Sequence, residues 1–170
     1  MHNAQLFSSI HHLTEAYRTK LSTIDDEQFQ LTPSVGGWSY SEVYSHIFDS
    51  SILSLKAMEN CLEGKGKKHS TAFIVKIILF LGYLPPGRKY KVPQKLESRV
   101  KKMTKVEAEE LIQRFAQQLE PDYKKMGKAR ADIKTPHPRL GYLNARQWLR
   151  FIEIHLKHHL KQLKRIENSF

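Results

Sequence analysis

Nine histidines are spread along a chain of 170 residues, and helical spacing sorts them. Near the end of the sequence, Trp148, Ile152, His155, His159, Gln162 and Ile166 recur at steps of four, three, four, three and four. Such steps place all six on one stripe of an α-helix. The tryptophan and the isoleucines mark that stripe as the core-facing side, so His155 and His159 point inward together, one turn apart. His158, Lys157 and Lys161 fall off the stripe and carry the local charge toward solvent. Two imidazoles at i and i+4 can bind one metal ion. His46, on the apolar side of an earlier helix, is the best source of a third. Three neutral imidazoles suit Zn²⁺, Ni²⁺ or Fe²⁺ and leave coordination positions open to water or substrate. The same residues also read as hydrogen-bonded aromatic filler, the ordinary fate of a core-facing histidine, and spacing leaves both readings open. Leu156 follows His155, so the H-E-x-x-H arrangement of metalloproteases is absent and proteolysis by that scheme is not expected.

Around this trio, two residues are candidates for support. Asp49 lies about one turn from His46 and would either orient it, act as a base or face solvent. Gln162 lies about one turn beyond His159 and is either a support for it or a core-edge amide. His137 precedes a proline in a turn, which suits a structural role or a cover for a cleft. No catalytic residue is assigned. The lone cysteine, Cys61, reads as a small apolar filler rather than a nucleophile. Arg88, Lys89 and Lys91 interleave with Tyr90 in a proline-rich stretch that suits a carboxylate or phosphate, a lid, or simply a solvated loop.

Five helical segments are expected to position these residues, with no strand. Residues 3–24 carry Leu6, Ile10, Leu13, Tyr17 and Leu21 on one face. Ser39 with Glu42, Thr104 with Glu107, and Asn144 with Gln147 have the spacing of N-terminal capping boxes. They predict helices from about Ser39 to Leu62, from Thr104 to about residue 125, and from Asn144 nearly to the end. In the first of these, Val43, His46, Ile47, Ser50, Leu53 and Ala57 are expected to share the inward face. The apolar run from Thr71 to Leu84 is interrupted by Lys76 and is shorter than the roughly 20 residues of a bilayer span. It predicts a buried helix over 71–81. The stretches 82–95 and 128–142 read as long loops, because prolines and glycines break helical periodicity. One domain over residues 1–170 is expected, an all-α antiparallel bundle of four long helices with one additional short helix.

The formal charge of +11 raises nucleic acid, anionic lipid and acidic substrates as partners. No zinc-finger spacing, aromatic RNA-binding signature or helix-turn-helix supports specific nucleic-acid recognition. A membrane partner is not expected either. The opening residues lack the basic-then-apolar form of a secretory signal, and one cysteine excludes an internal disulfide framework. A cytoplasmic protein is the simplest expectation.

The run from His137 to Leu163 resembles the C-terminal signature of the DinB-like superfamily, the DinB/YfiT-like metalloenzymes. The matching residues are His137, Pro138, Gly141, Trp148, His155, His158, His159 and Gln162. Earlier, Trp38 and His46 stand where that family has a tryptophan followed by a helix with its first histidine. Leu140 departs from the aromatic often found before the glycine. The resemblance implies an up-down-down-up four-helix bundle and a divalent metal held by His46, His155 and His159. It also implies a homodimer, and a metal-dependent hydrolase or thiol-dependent transferase acting on a small molecule. A non-catalytic metal-binding or scaffolding bundle is the alternative.

Overall fold

The structure is a computed structural model that describes residues 2–34, 36–85 and 98–170. Four long helices form the bundle: α1 (Asn3–Thr23), α3 (Tyr40–Leu62), α5 (Lys105–Lys124) and α6 (Ala145–Glu167). Two shorter ones are α2 (Asp26–Gln30) and α4 (Phe73–Leu81). The three capping boxes form as their spacing requires. Ser39, Thr104 and Asn144 each accept from the backbone three residues on, and Glu42, Glu107 and Gln147 reach back. Each cap satisfies amides that a helix end otherwise leaves bare. α2 was not anticipated. Five residues are too few for a periodic signal, and its mark is the Asp25 carboxylate accepting from Glu27 N at 2.8 Å.

Cross-helix contacts give the directions. Ser41 at the start of α3 bonds Met103, just before α5, and Lys125 lies 3.8 Å from Glu59 at the other end, so α3 and α5 run parallel. Ser9 bonds Glu153 and Lys20 pairs with Glu167, so α1 and α6 also run parallel. Phe7 stacks on Tyr123 and Arg18 bonds Glu109, setting α1 against α5 in opposite senses. This is the up-down-down-up order. Tyr17, Tyr44, Phe48 and Phe115 form an edge-to-face aromatic chain at its centre. The buried Tyr17 hydroxyl donates to Leu156 O, and that of Tyr44 to Tyr17 O, each at 2.8 Å.

Three expectations fail. First, the stretch read as a second loop contains a β-hairpin. β2 (Ile133–His137) and β3 (Gly141–Asn144) pair antiparallel, and β1 (Lys67–Lys68) adds to β2, giving the order β1-β2-β3. Pro136 hid the strand, but it is tolerated because β1 pairs only with Ile133 and Lys134. Gly141 closes the turn at φ 71°, a left-handed value that favours glycine. Second, Leu53 is 40 % exposed; the inward face of α3 runs instead through Val43, Tyr44, Ile47, Phe48, Ser51, Leu55 and Met58. Third, the apolar segment 71–81 is not a buried helix. α4 inserts only Val75 and Leu79, whereas Phe73 is 78 % and Phe80 85 % exposed. The proline-rich stretch with Arg88, Lys89, Tyr90 and Lys91 lies outside the described residues.

Thr135 knits the hairpin to the bundle. Its hydroxyl donates to Ala57 O at 3.0 Å, accepts from Trp148 Nε1 at 2.8 Å and meets Cys61 Sγ at 3.3 Å. Cys61 is buried, and burial pushes its thiol pKa up, which suits a filler and opposes nucleophilic use. No helix among the described residues is long and apolar enough to cross a membrane.

Candidate functional site

α3 and α6 run antiparallel and bring His46 opposite His155 and His159. One ring nitrogen from each lies within 4.8 Å of the others. The ring centroids are 5.2 Å (His46–His155), 4.9 Å (His46–His159) and 4.6 Å (His155–His159) apart. His159 Nε2 and His155 Nε2 are 3.0 Å apart. Two nitrogens bound to a common ion at about 2.0–2.1 Å stand roughly 2.8–3.4 Å from each other across a right-angled or tetrahedral edge. The separation of this pair therefore fits two ligands of one ion.

The protons decide which atoms are free. His159 Nδ1 is 2.8 Å from Gln162 Oε1. A carbonyl oxygen only accepts, so Nδ1 carries the proton and Nε2 presents a lone pair inward. Gln162 thus orients the imidazole as an outer carbonyl does for a metal-ligating histidine. His155 Nδ1 is 3.4 Å from Ser50 Oγ, whose hydroxyl has Ile47 O as an acceptor at 3.2 Å. With the serine proton on Ile47, Ser50 accepts from His155 Nδ1–H and both Nε2 lone pairs face one point. A cation resolves that opposition. Without one, a proton on His155 Nε2 donates to His159, and Ser50 turns to donate to His155 Nδ1. Ser50 accommodates both states.

Burial keeps the trio neutral. It depresses the pKa of His46 to about 4, opposed by Asp49 and helped by His158. His155 and His159 are pushed well below the usual imidazole range, first by burial, then by neighbouring histidines. Neutral imidazole is the form that ligates. Trp38 walls the site, its ring 5.0 Å from His46 and stacked at 6.4 Å on His159. Phe151 stacks on His155 at 5.1 Å.

The other sequence candidates fall around this centre. Asp49 makes a two-pronged ion pair with Arg99, at 2.6 and 2.7 Å, and influences His46 through charge. His137 is removed by one ring. It packs on Phe151 at 4.4 Å while its Nδ1 accepts from the amides of Arg139 and Leu140, so it fastens the hairpin turn. Burial lowers its pKa to about 4 as well. His158 is half-buried, its ring edge-on to His159 at 5.1 Å.

Sequence reasoning missed two residues. Ser50 was placed beside His46 but given no role; the four-residue step between them was its signal. Glu153 was overlooked entirely. It is buried and takes hydrogen bonds from Ser9 at 2.7 Å, Lys157 at 2.6 Å and Arg150. Burial pushes its carboxyl up, but these donors outweigh it and the net shift is downward. Its signal was the cations at i−3 and i+4. An open groove of about 710 Å³ beside Ala4, Ser8, His12 and Lys157 is lined by none of the trio.

Comparison with known proteins agrees with this architecture. The chain is 26 % identical over 158 residues to the uncharacterized protein YuaE of Bacillus subtilis (strain 168), covering 88 % of this chain and 90 % of that one. Its fold is similar to the crystal structure of TT2238, a four-helix bundle protein, with a TM-score of 0.59 and 17 % identity over 96 % of this chain and 99 % of that chain. Residues 9–163 match the DinB superfamily, and the chain, with its bundle and its facing histidines, belongs to that superfamily.

Proposed function

We propose that the protein is a metal-dependent enzyme acting on a small molecule, with a divalent ion held by His46, His155 and His159. The observation that carries this reading is the pair of Nε2 atoms 3.0 Å apart, one of them forced into its ligating tautomer by Gln162. Zn²⁺, Ni²⁺ and Fe²⁺ all suit a three-imidazole set, and such an ion supplies Lewis acidity, polarising a carbonyl or favouring the ionised form of a water or thiol. Three protein ligands leave room for substrate. Gln162 and Ser50 hold the imidazoles in register, while Trp38 and Phe151 exclude water from the buried side. Hydrolysis and thiol-dependent transfer are the two reaction classes this arrangement serves. The single free cysteine, buried, suits a reducing cytoplasmic setting.

The test is metal analysis of untagged protein, with thermal melts in added Zn²⁺ and Ni²⁺. An ion at one hundred times its Kd stabilises by about 2.7 kcal/mol. In a chain of this size that raises Tm by roughly 5–10 °C. His46→Ala and His159→Ala should abolish the rise. No stoichiometric metal and no rise in wild type defeats the proposal. Given metal, a hydrolase screen against a thiol-transfer screen separates the classes. Inactivity in both favours a metal-binding scaffold.

A further inference from the structure

We propose that α4 docks the protein on an anionic lipid surface. The helix is apolar on both its inward and its outward side. Its inward side is Val75 and Leu79, and its outward side presents Phe73, Ile74, Phe80 and Leu81, continued by Tyr83 just past the helix. The exposures are 78 %, 60 %, 85 %, 49 % and 53 % in that order. A contiguous apolar face of this kind marks a binding surface.

Two observations select the occupant. The first is charge. No Asp or Glu stands among residues 64–85, which hold four Lys. Lys65 pairs with Glu63 at 2.7 Å, while Lys67 and Lys68 lie exposed in the approach to α4 and Lys76 is exposed on the helix itself. Apolar side chains fringed by cations complement anionic headgroups over an acyl layer. The same fringe repels a second copy of a chain carrying +11. The second is size. Nine residues make a helix about 14 Å long, whose face falls short of the roughly 800 Å² per partner of a stable protein interface. Lying in a headgroup layer needs neither that area nor the length of a membrane span, which was the ground for expecting no membrane partner.

The anchor is built to hold its angle. Arg150 of α6 donates to Leu79 O at 2.8 Å and reaches Phe80 O, and Gly82 ends the helix at φ 78°. A Cβ at Gly82 would run into that guanidinium. By helical rotation Arg150 and His155 are about 140° apart around α6, so a docked α4 and the histidine trio occupy different sides of that helix.

Cosedimentation of the full chain with phosphatidylcholine vesicles, with and without phosphatidylglycerol, tests this. Wild type should pellet with the anionic vesicles and be released by salt. Phe73→Ser/Phe80→Ser should bind at least about tenfold more weakly, since each buried Phe contributes a factor of that order, and Lys67→Glu/Lys68→Glu should also bind less. Unchanged circular dichroism and Tm will show that these exposed positions leave the fold intact. Failure of wild type to bind, equal binding to neutral vesicles, or full binding by the double Phe variant overturns the proposal. A wild-type dimer in sedimentation equilibrium, made monomeric by Phe80→Ser and indifferent to vesicles, would assign the face to a second copy instead. None of these readouts depends on the metal.

Discussion

α4 and α6 invert what their compositions promise. α4 is apolar at every position except Lys76, yet only two of its nine residues are buried. α6 carries three histidines and six Lys or Arg, yet eleven of its 23 residues are buried, one of them a glutamate. The difference lies in neighbours. α6 is flanked by α1, α3, α4 and the hairpin, so most of its circumference meets protein, and its polar groups there acquire partners. Among the described residues, α4 meets chiefly α6. Hydrophobicity measures what a segment would gain by leaving water; it does not supply the surface that would receive it.

The contrast can be tested by weight. Trp148→Ala in α6 should cost the most, about 3–5 kcal/mol, because it empties a core site and strips the Thr135 hydroxyl of its indole donor. Denaturant unfolding will measure it; a loss under 1 kcal/mol would show that α6 is less committed to the core than its burial suggests.

Acid is the next lever. His46 and His137 titrate at about 4 when folded, against about 6.5 unfolded. The unfolded chain therefore binds more protons between these values, and stability falls as pH drops from about 6.5 to 4. Each contributes up to about 3 kcal/mol over that window. Melts in the presence of a chelator should show the slope, and His137→Gln should flatten it; a Tm constant from pH 7 to 4 would contradict the neutral, buried assignment.

Smaller again is Gln162→Leu. It removes the acceptor that sets the His159 tautomer and should weaken Zn²⁺ binding about 10–100-fold with little change in metal-free stability. Isothermal titration distinguishes this from a core-edge amide, whose loss would leave affinity untouched. The smallest effect belongs to α4. Phe80→Ser should change unfolding free energy by no more than about 0.5 kcal/mol. A loss above 2 kcal/mol would mean that Phe80 is covered in solution.

Local signals were legible and remote ones were not. The capping boxes at Ser39, Thr104 and Asn144 depend on residues three apart, so the sequence contains the whole interaction. The same holds for the His155–His159 step and for the Gln162 contact. His46 could be proposed from its place near an apolar stripe, but its meeting with α6 depends on how two helices pack. The rotation of α3 that exposes Leu53 is also set by packing, since its stripe is broad enough to admit several inward centres. The hairpin escaped notice because Pro136 argues against a strand unless its missing amide is known to face no neighbour. Neighbour relations, not side-chain chemistry, misplaced α4.

The two helices that carry the trio are far apart along the chain, with His46 and His159 separated by 113 positions. An ion bridging them would close a loop of more than one hundred residues. In polymer terms such closure is entropically worth about 4–5 kcal/mol when it survives in the unfolded chain, as it does for a disulfide over a similar span. Imidazole coordination differs from that covalent link in being released by acid or chelation. The bundle would thus carry a reversible clasp on its own topology, fastened between its first half and its last helix.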